Sequence, residues 1–344
     1  MTTILLSPGD PGQLTGGYRY NSRLFDSFQD HGREVRVVSL PGDWPLPSRL
    51  DIVRCGRIVD DIEPGTDVII DGLALAGVSD ALLTLCARCS VSLLLHSPPH
   101  LERGTAPQDA ARLYAITEQA LLLVHRVIAT SPTAAAEIVT LFGVPEVSQV
   151  TPGCDIMPKT QGAGTGRLLS VATVTPRKGL LTLIAALARI PELPWTLRCV
   201  GSLTRAPAHV AQAREAIAAA GLTERIALVG ERDGALLTAE YAAADIFVLP
   251  TWHETYGMVF TEAMSAGLPI ISTTAGAVPQ TVPSGVGILV TPGDSIALAE
   301  AIRGVLTDRS QRDAFAAAAS AWPIRSWADC AADFAAILDG ASHG

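Results

Sequence analysis

Apolar residues come along this chain in short runs separated by longer stretches of helical spacing. ILLS at residues 4–7 is the first run, and the Gly/Pro-rich loop PGDPGQLTGG follows it. From Gly17 the text YRYNSRLFDSFQDHG turns helical, with Leu24, Phe25 and Phe28 on one side and Gly32 as the stop, before the alternating strand EVRVVSL. The rhythm continues with DVII (67–70), a helix near 80–88, VSLLL (91–95), a helix near 108–124, VIAT, the helix TAAAEIVTLFG and VSQV. A nearly apolar-free segment, IMPKTQGAGTG, interrupts the series and reads as a hinge. A second series then runs through RLLSVA, GLLTLIAALARI, WTLRCVG, an Ala-rich helix ending at Gly221, RIALVG, a helix around 236–243, DIFVLP, PIIST, GILV and a helix near 295–306.

Strands alternating with helices predict an α/β protein with two doubly wound, mostly parallel sheets facing each other across a cleft. The predicted division is a first domain over 1–155, a linker over 156–166, a second domain over 167–322, and a tail over 323–344. In the tail, SWADCAADFAAIL spaces Trp327, Cys330, Phe334 and Leu338 as a helix that packs back onto the domains.

At 344 residues the chain exceeds the usual single core, in keeping with two domains. A net charge of -9 and a pI near 5.3 argue against a nucleic-acid partner. The N-terminal residues do not read as a signal peptide, and no apolar stretch reads as a transmembrane segment. The six scattered cysteines fit reduced thiols and a cytoplasmic location; Cys86 and Cys89 form a lone CxxC inside a helical run, which reads as packing and not as a metal site.

The chemistry concentrates in WHETYGMVFTEAMSAGLP (252–269), which joins DIFVLP to a helix through an acidic, Gly-containing loop. Glu254 and Glu262 are eight positions apart; an unbroken helix would separate them by about 80° around its axis and roughly 12 Å along it, a poor catalytic pair. Pro250 and Gly257 instead place Glu254 in the loop and Glu262 in the second helical turn, with amide N–H groups between them suited to a phosphate. In TVTPRKG, Arg177 and Lys178 follow another apolar strand, and a planar fork beside a compact charge suits the oxygens of a diphosphate. In the first domain, Gly16 and Gly17 precede a helix. His96 leaves VSLLL at the carboxyl edge of its sheet, where ligands of parallel sheets lie. His100 and Glu102, further along that loop, read as surface positions.

With these residues in place, the chain resembles the family 4 retaining glycosyltransferases of the GT-B fold. The resemblance rests on Gly16-Gly17, TPRKG, GERDGALLTAEYAAADIFVLP, the Glu-x7-Glu pattern ETYGMVFTE with AMSAGLPI, and LVTPGD, in order over nearly the whole chain. It implies transfer of a sugar, with retention, from a nucleotide-diphosphate sugar to an acceptor hydroxyl. Arg177, Lys178 and the N–H groups near Tyr256, Gly257 and Met258 would hold the diphosphate, Glu254 the transferred sugar and Glu262 the ribose. His96 would serve the sugar near its reacting carbon, while Gly16 and Gly17 would let the first-domain loop approach the substrates. His96, Arg177, Lys178 and Glu254 are the catalytic candidates. No metal and no cofactor are implied, and attack on the face the diphosphate leaves, assisted by the leaving phosphate, is the expected course.

The loop after PIIST departs from the family pattern: it reads TTAGAVPQTV, with Ala275-Gly276-Ala277 and Gln280 where a glycine pair and an acid are common. The first domain has no plainly basic amphipathic helix, although Arg19 and Arg23 flank Tyr20, so a soluble acceptor fits better and a lipid one stays open. A nucleotide-sugar epimerase of the same architecture and a non-catalytic nucleotide-sugar-binding protein are the alternatives. Glycosidase chemistry needs carboxylates across a bond, which Glu254 and Glu262 do not suggest. GDPGQLTGG is no dehydrogenase GxGxxG turn.

Overall fold

The computed structural model describes residues 3–29, 32–102, 105–162 and 164–340. Residues 30–31 of the first predicted helix, position 163 of the predicted linker and the last four positions of the tail lie outside the described residues. By its contacts the chain divides into Met1–Gly153 with Arg325–Gly344, and Cys154–Ile324.

The first unit carries, in order, β1 (Thr3–Pro8), α1 (Gly16–Gln29), β2 (Val35–Leu40), α2 (Arg49–Asp60), β3 (Asp67–Asp71), α3 (Leu75–Val78), α4 (Leu82–Arg88), β4 (Ser90–Leu95), α5 (Pro107–Leu123), β5 (Arg126–Ala129), α6 (Pro132–Phe142) and β6 (Ser148–Gln149). Its strands pair in the order β2-β1-β3-β4-β5-β6, all parallel. Buried central strands read as unbroken apolar runs, as in VSLLL, whereas β2, at the sheet edge, keeps exposed positions and an alternating sequence. The order reverses between β1 and β3. Crevices for ligands open beyond the carboxyl ends of strands at such a reversal.

The second unit contains β7 (Arg167–Val171), α7 (Leu180–Leu187), β8 (Thr196–Val200), α8 (Pro207–Ala219), β9 (Ile226–Gly230), α9 (Gly234–Ala242), β10 (Ile246–Val248), α10 (Met258–Ser265), β11 (Ile270–Thr273), α11 (Val278–Thr281), β12 (Gly287–Val290), α12 (Ser295–Thr307) and α13 (Arg309–Ala321). Its parallel sheet has the order β12-β11-β10-β7-β8-β9, so its reversal falls between β7 and β10. Successive residues feed two cores on opposite faces: Leu168, Ile246 and Val248 point to one, Leu169, Val171 and Phe247 to the other.

The segment that reads as a hinge is fastened along the second unit. Met157 N–H donates to Ser265 Oγ (2.9 Å), Thr160 N–H to the Ala266 carbonyl (2.8 Å), and Gly164 and Arg167 N–H to the buried Asp245 carboxylate (2.9 and 2.8 Å). Met157 is its one buried apolar anchor, and the rest is held mainly through backbone bonds. The tail helix α14 (Trp327–Leu338) opens with a capping box between Ser326 and Asp329 and belongs to the first unit. Its Phe334 ring meets Phe25 and Phe28 of α1 at centroid distances of 6.4 and 5.8 Å. Four helices escape the sequence reading: α2, α3, the short α11 and α13. In α2 the buried Ile52, Cys55 and Val59 are scattered among charged residues, and Ala-rich α13 has little apolar stripe to read.

Candidate active site

β7 and β10 are neighbours, with Leu168 opposite Ile246, so loops 76 residues apart in sequence leave one edge side by side. After β7 the chain makes a short 3-10 turn, Pro176–Lys178, that ends at Gly179. Gly179 has φ +72°, and a Cβ there would lie 1.9 Å from the Pro250 carbonyl oxygen, so this close approach of two backbones admits only glycine. The result is a shared loop framework. Trp252 N–H donates to the Arg177 carbonyl (2.8 Å), as does the Thr251 hydroxyl (3.1 Å), and Arg177 Nη1 donates to the His253 carbonyl (2.9 Å).

At its centre, Lys178 Nζ donates to Glu254 Oε1 at 2.5 Å, and Arg177 Nη1 lies 3.7 Å from Glu254 Oε2. Glu254 is only 5% exposed. Burial by itself pushes its carboxyl up, but the charges of Lys178 and then Arg177, with the Lys178 hydrogen bond, outweigh it and hold the group below the usual carboxylate range. Two cations and one buried anion therefore leave the cluster net positive.

The loop carrying Glu254 rests on Ala275-Gly276-Ala277. Ala277 N–H donates to the Glu254 carbonyl at 2.8 Å, and Gly276, at φ +54°, leaves no room for a Cβ, which would sit 2.2 Å from that oxygen. Gly257 then caps α10, which begins at Met258, and the Tyr256 carbonyl accepts the Thr281 hydroxyl at 2.6 Å. At the start of α10, Phe260 N–H turns back to the Gly257 carbonyl at 2.9 Å, and the N–H groups before it precede the first intrahelical acceptor. Glu262, in the second turn, is buried, and its Oε2 accepts the hydroxyl of the fully buried Tyr241 at 2.7 Å.

The first unit has its own polar cluster at the ends of β3 and β4. His96 Nε2 lies 3.0 Å from Asn21 Oδ1 and 3.5 Å from Asp71 Oδ2, and Asn21 Nδ2 donates to Asp71 Oδ2 at 2.6 Å. Leu73 N–H donates to Asp71 Oδ1 at 2.9 Å. Burial pushes the Asp71 carboxyl up, yet its hydrogen bond to His96, the His96 charge, the Leu73 amide and the Asn21 amide together keep it low. Gly17, in the first turn of α1, lies under the His96 ring, where a Cβ would be 3.2 Å from Cδ2. Gly16 starts the same helix. His100 is elsewhere, packed edge-on against Tyr114 and Phe142, and burial lowers its pKa.

Residues 165–308 match the model of the family described as glycosyl transferases group 1. A D-inositol 3-phosphate glycosyltransferase of Streptosporangium roseum is 30% identical over 264 residues, 70% of this chain and 60% of that protein. The match to glycosyl transferases group 1 therefore lies within the second unit of this chain. A glycogen synthase of Mycobacterium tuberculosis is 30% identical over 220 residues, 60% of this chain and 52% of that protein. The chain thus spans only about half to three-fifths of the length of these curated relatives. Among solved structures, sucrose-phosphate synthase from Thermosynechococcus elongatus superposes with a TM-score of 0.83 at 21% identity, covering 99% of this chain and 100% of that one. Anabaena Alr3699/HepE in complex with UDP-glucose superposes with a TM-score of 0.79 at 20% identity, covering 99% and 100%. Both likenesses concern the fold, which is GT-B.

Within the matched region, Arg177, Lys178 and Glu254 come together, while Glu262 stands apart with Tyr241. His96, Gly16 and Gly17 gather in the first unit. Sequence reasoning missed Asn21, Asp71 and Tyr241. The aspartate ending the apolar run DVIID was the readable signal for Asp71: a carboxylate on an otherwise buried strand needs a partner. The six cysteines are free thiols, and Cys89 is buried at the end of α4 with Sγ 3.5 Å from the Glu63 carbonyl. Among the described residues, no helix is long and apolar enough to cross a membrane.

Proposed function

We propose that this protein is a retaining glycosyltransferase, a hexosyltransferase in class, that moves a sugar from a nucleotide-diphosphate sugar to an acceptor hydroxyl without a metal ion. The observation that carries the reading is the Arg177–Lys178–Glu254 cluster beside the start of α10, at the strand reversal of the second unit. Two fixed cations and helix amides oppose the charge that grows on a departing diphosphate, and such groups act most strongly at the transition state. Glu254, held ionised, accepts hydrogen bonds from hydroxyls of the transferred sugar. Glu262 serves the ribose; the Tyr241 hydroxyl fixes one of its oxygens. The amides near Tyr256, Gly257 and Met258 add to the diphosphate site.

In the proposed step the acceptor oxygen bonds to the anomeric carbon on the face from which the diphosphate departs. The bond from carbon to phosphate oxygen breaks, and the acceptor proton passes to the leaving phosphate. His96 assists at the sugar, and Gly16 and Gly17 give the substrates access to the loop after β1. UDP-glucose bound by Alr3699/HepE supports a uridine-diphosphate sugar as the first donor to test. The inositol phosphate named in the curated relatives supports a small hydrophilic polyol as acceptor, with a lipid hydroxyl as the second class to test. Six free thiols support a cytoplasmic setting.

The test is a thermal-shift screen of nucleotide sugars with EDTA present, followed by mass and NMR analysis of products. A donor at a hundred times its Kd stabilises by about 2.7 kcal/mol. The expected product has gained one sugar with its anomeric configuration kept. Nucleotide release without any acceptor would favour epimerase chemistry, and stabilisation without turnover would favour a binding protein.

A further inference from the structure

With the His96 ring neutral, the Asn21–Asp71–His96 cluster admits one arrangement of protons. Asp71, 4% exposed, already accepts the Leu73 amide on Oδ1, and as a carboxylate it only accepts. Asn21, also 4% exposed, lies 2.6 Å from Asp71 Oδ2 through Nδ2, so its amide must turn its N–H2 to Asp71. Its Oδ1 then faces His96 Nε2 at 3.0 Å, and Asp71 Oδ2 is the other polar atom near that nitrogen, at 3.5 Å. Two acceptors facing one ring nitrogen require it to donate. The ring plane is fixed as well: Tyr20 meets it edge-on at 5.1 Å and 75°, and Gly17 lies against Cδ2.

From this geometry we propose that Asn21 and Asp71 are positioning residues that lock His96 as the Nε2–H tautomer and so reserve Nδ1 as a hydrogen-bond acceptor for a substrate hydroxyl. The proposal rests on the reading of His96 given above. Either partner alone would leave the lock incomplete. Without the charge on residue 71, the Asn21 amide is free to turn and offer N–H to His96, which converts Nε2 into an acceptor and moves the ring proton to Nδ1. Residue 21 carries the instruction because an amide has one end of each kind.

The test is imidazole nitrogen NMR on the full chain, without substrate, under mildly alkaline conditions. The wild type is expected to show His96 protonated at Nε2. Asp71→Asn, close in size, and Asn21→Leu, which removes the relay, are each expected to shift the ring towards Nδ1–H or a mixture. Where a transfer assay is in hand, both variants lower kcat by about 10–100-fold, by analogy with loss of the group orienting a metal-ligating histidine, with donor KM little changed. An Nδ1–H signal in the wild type overturns the proposal, as does an unchanged Nε2–H tautomer in both variants. If one variant fails to fold, the other and the wild-type spectrum still decide it. The spectrum needs no turnover, so a chain that locks the tautomer but transfers no sugar refutes the glycosyltransferase reading and leaves the lock standing.

Discussion

Lys178, half-buried, pairs with the buried Glu254, and the same two charges are the ones a sugar diphosphate would address. Removing the ammonium through Lys178→Ala is expected to slow transfer by roughly 10²-fold or more, the scale of losing one oxyanion donor. Steady-state kinetics on a variant whose circular dichroism matches wild type checks this, and near-normal turnover refutes the role. The pair also sets a pH dependence. The folded Glu254 carboxyl lies below its unfolded value, near 4.3, so the stabilisation is present above that value and fades as pH falls through the depressed folded one. Urea titrations from pH 7 downwards should therefore show wild type more stable than Glu254→Gln at neutral pH, with the gap shrinking below about pH 4. These residues were legible because TPRKG and Glu-x7-Glu are dense local patterns. Asn21 was not, because an amide on a helix means nothing until strand order brings it to His96, and Asp71 was signalled only as a carboxylate on an apolar strand whose partner the text does not name.

The loops around the cluster depend on elements that touch no substrate in the proposed reaction. Ala275-Gly276-Ala277 departs from the usual family pattern, yet its backbone supports that of Glu254 through one hydrogen bond and one contact that excludes a Cβ. Gly276→Ala combines a left-handed φ with a clash against a carbonyl oxygen. A loss of about 1–3 kcal/mol is expected for the backbone conformation alone, together with weaker donor binding. Chemical denaturation and donor titration by calorimetry check the two parts; unchanged values in both would show that the loop adjusts without cost. In sequence, the glycine was visible and its job was not. The strands and most of the long helices follow from their periods, α2 and α13 excepted, and the polar segment between the two series lies along the second unit through backbone bonds to Asp245, Ser265 and Ala266.

In the chain as a whole, the C-terminal helix completes the unit that the N-terminus begins. Phe25 and Phe28 of α1 are covered by Phe334, and Tyr20 by Trp327 at 5.8 Å, so stopping the chain at Ile324 uncovers a continuous aromatic surface. Hydrogen exchange on that truncation is expected to show α1 losing protection while α7 and α12 keep theirs. Equal protection of α1 in both forms would mean that the first unit stands without its tail. The order of strands and helices, the two parallel sheets and the loops richest in chemistry could be derived from the chain text, because helical and strand periods and turn residues are local properties. The pairing of Lys178 with Glu254, of His96 with Asn21 and Asp71, and of the tail with α1 came only with tertiary structure. Those contacts join residues 25 to 310 positions apart, and which of them meet is decided by where each sheet reverses its strand order and by which apolar face is left to cover.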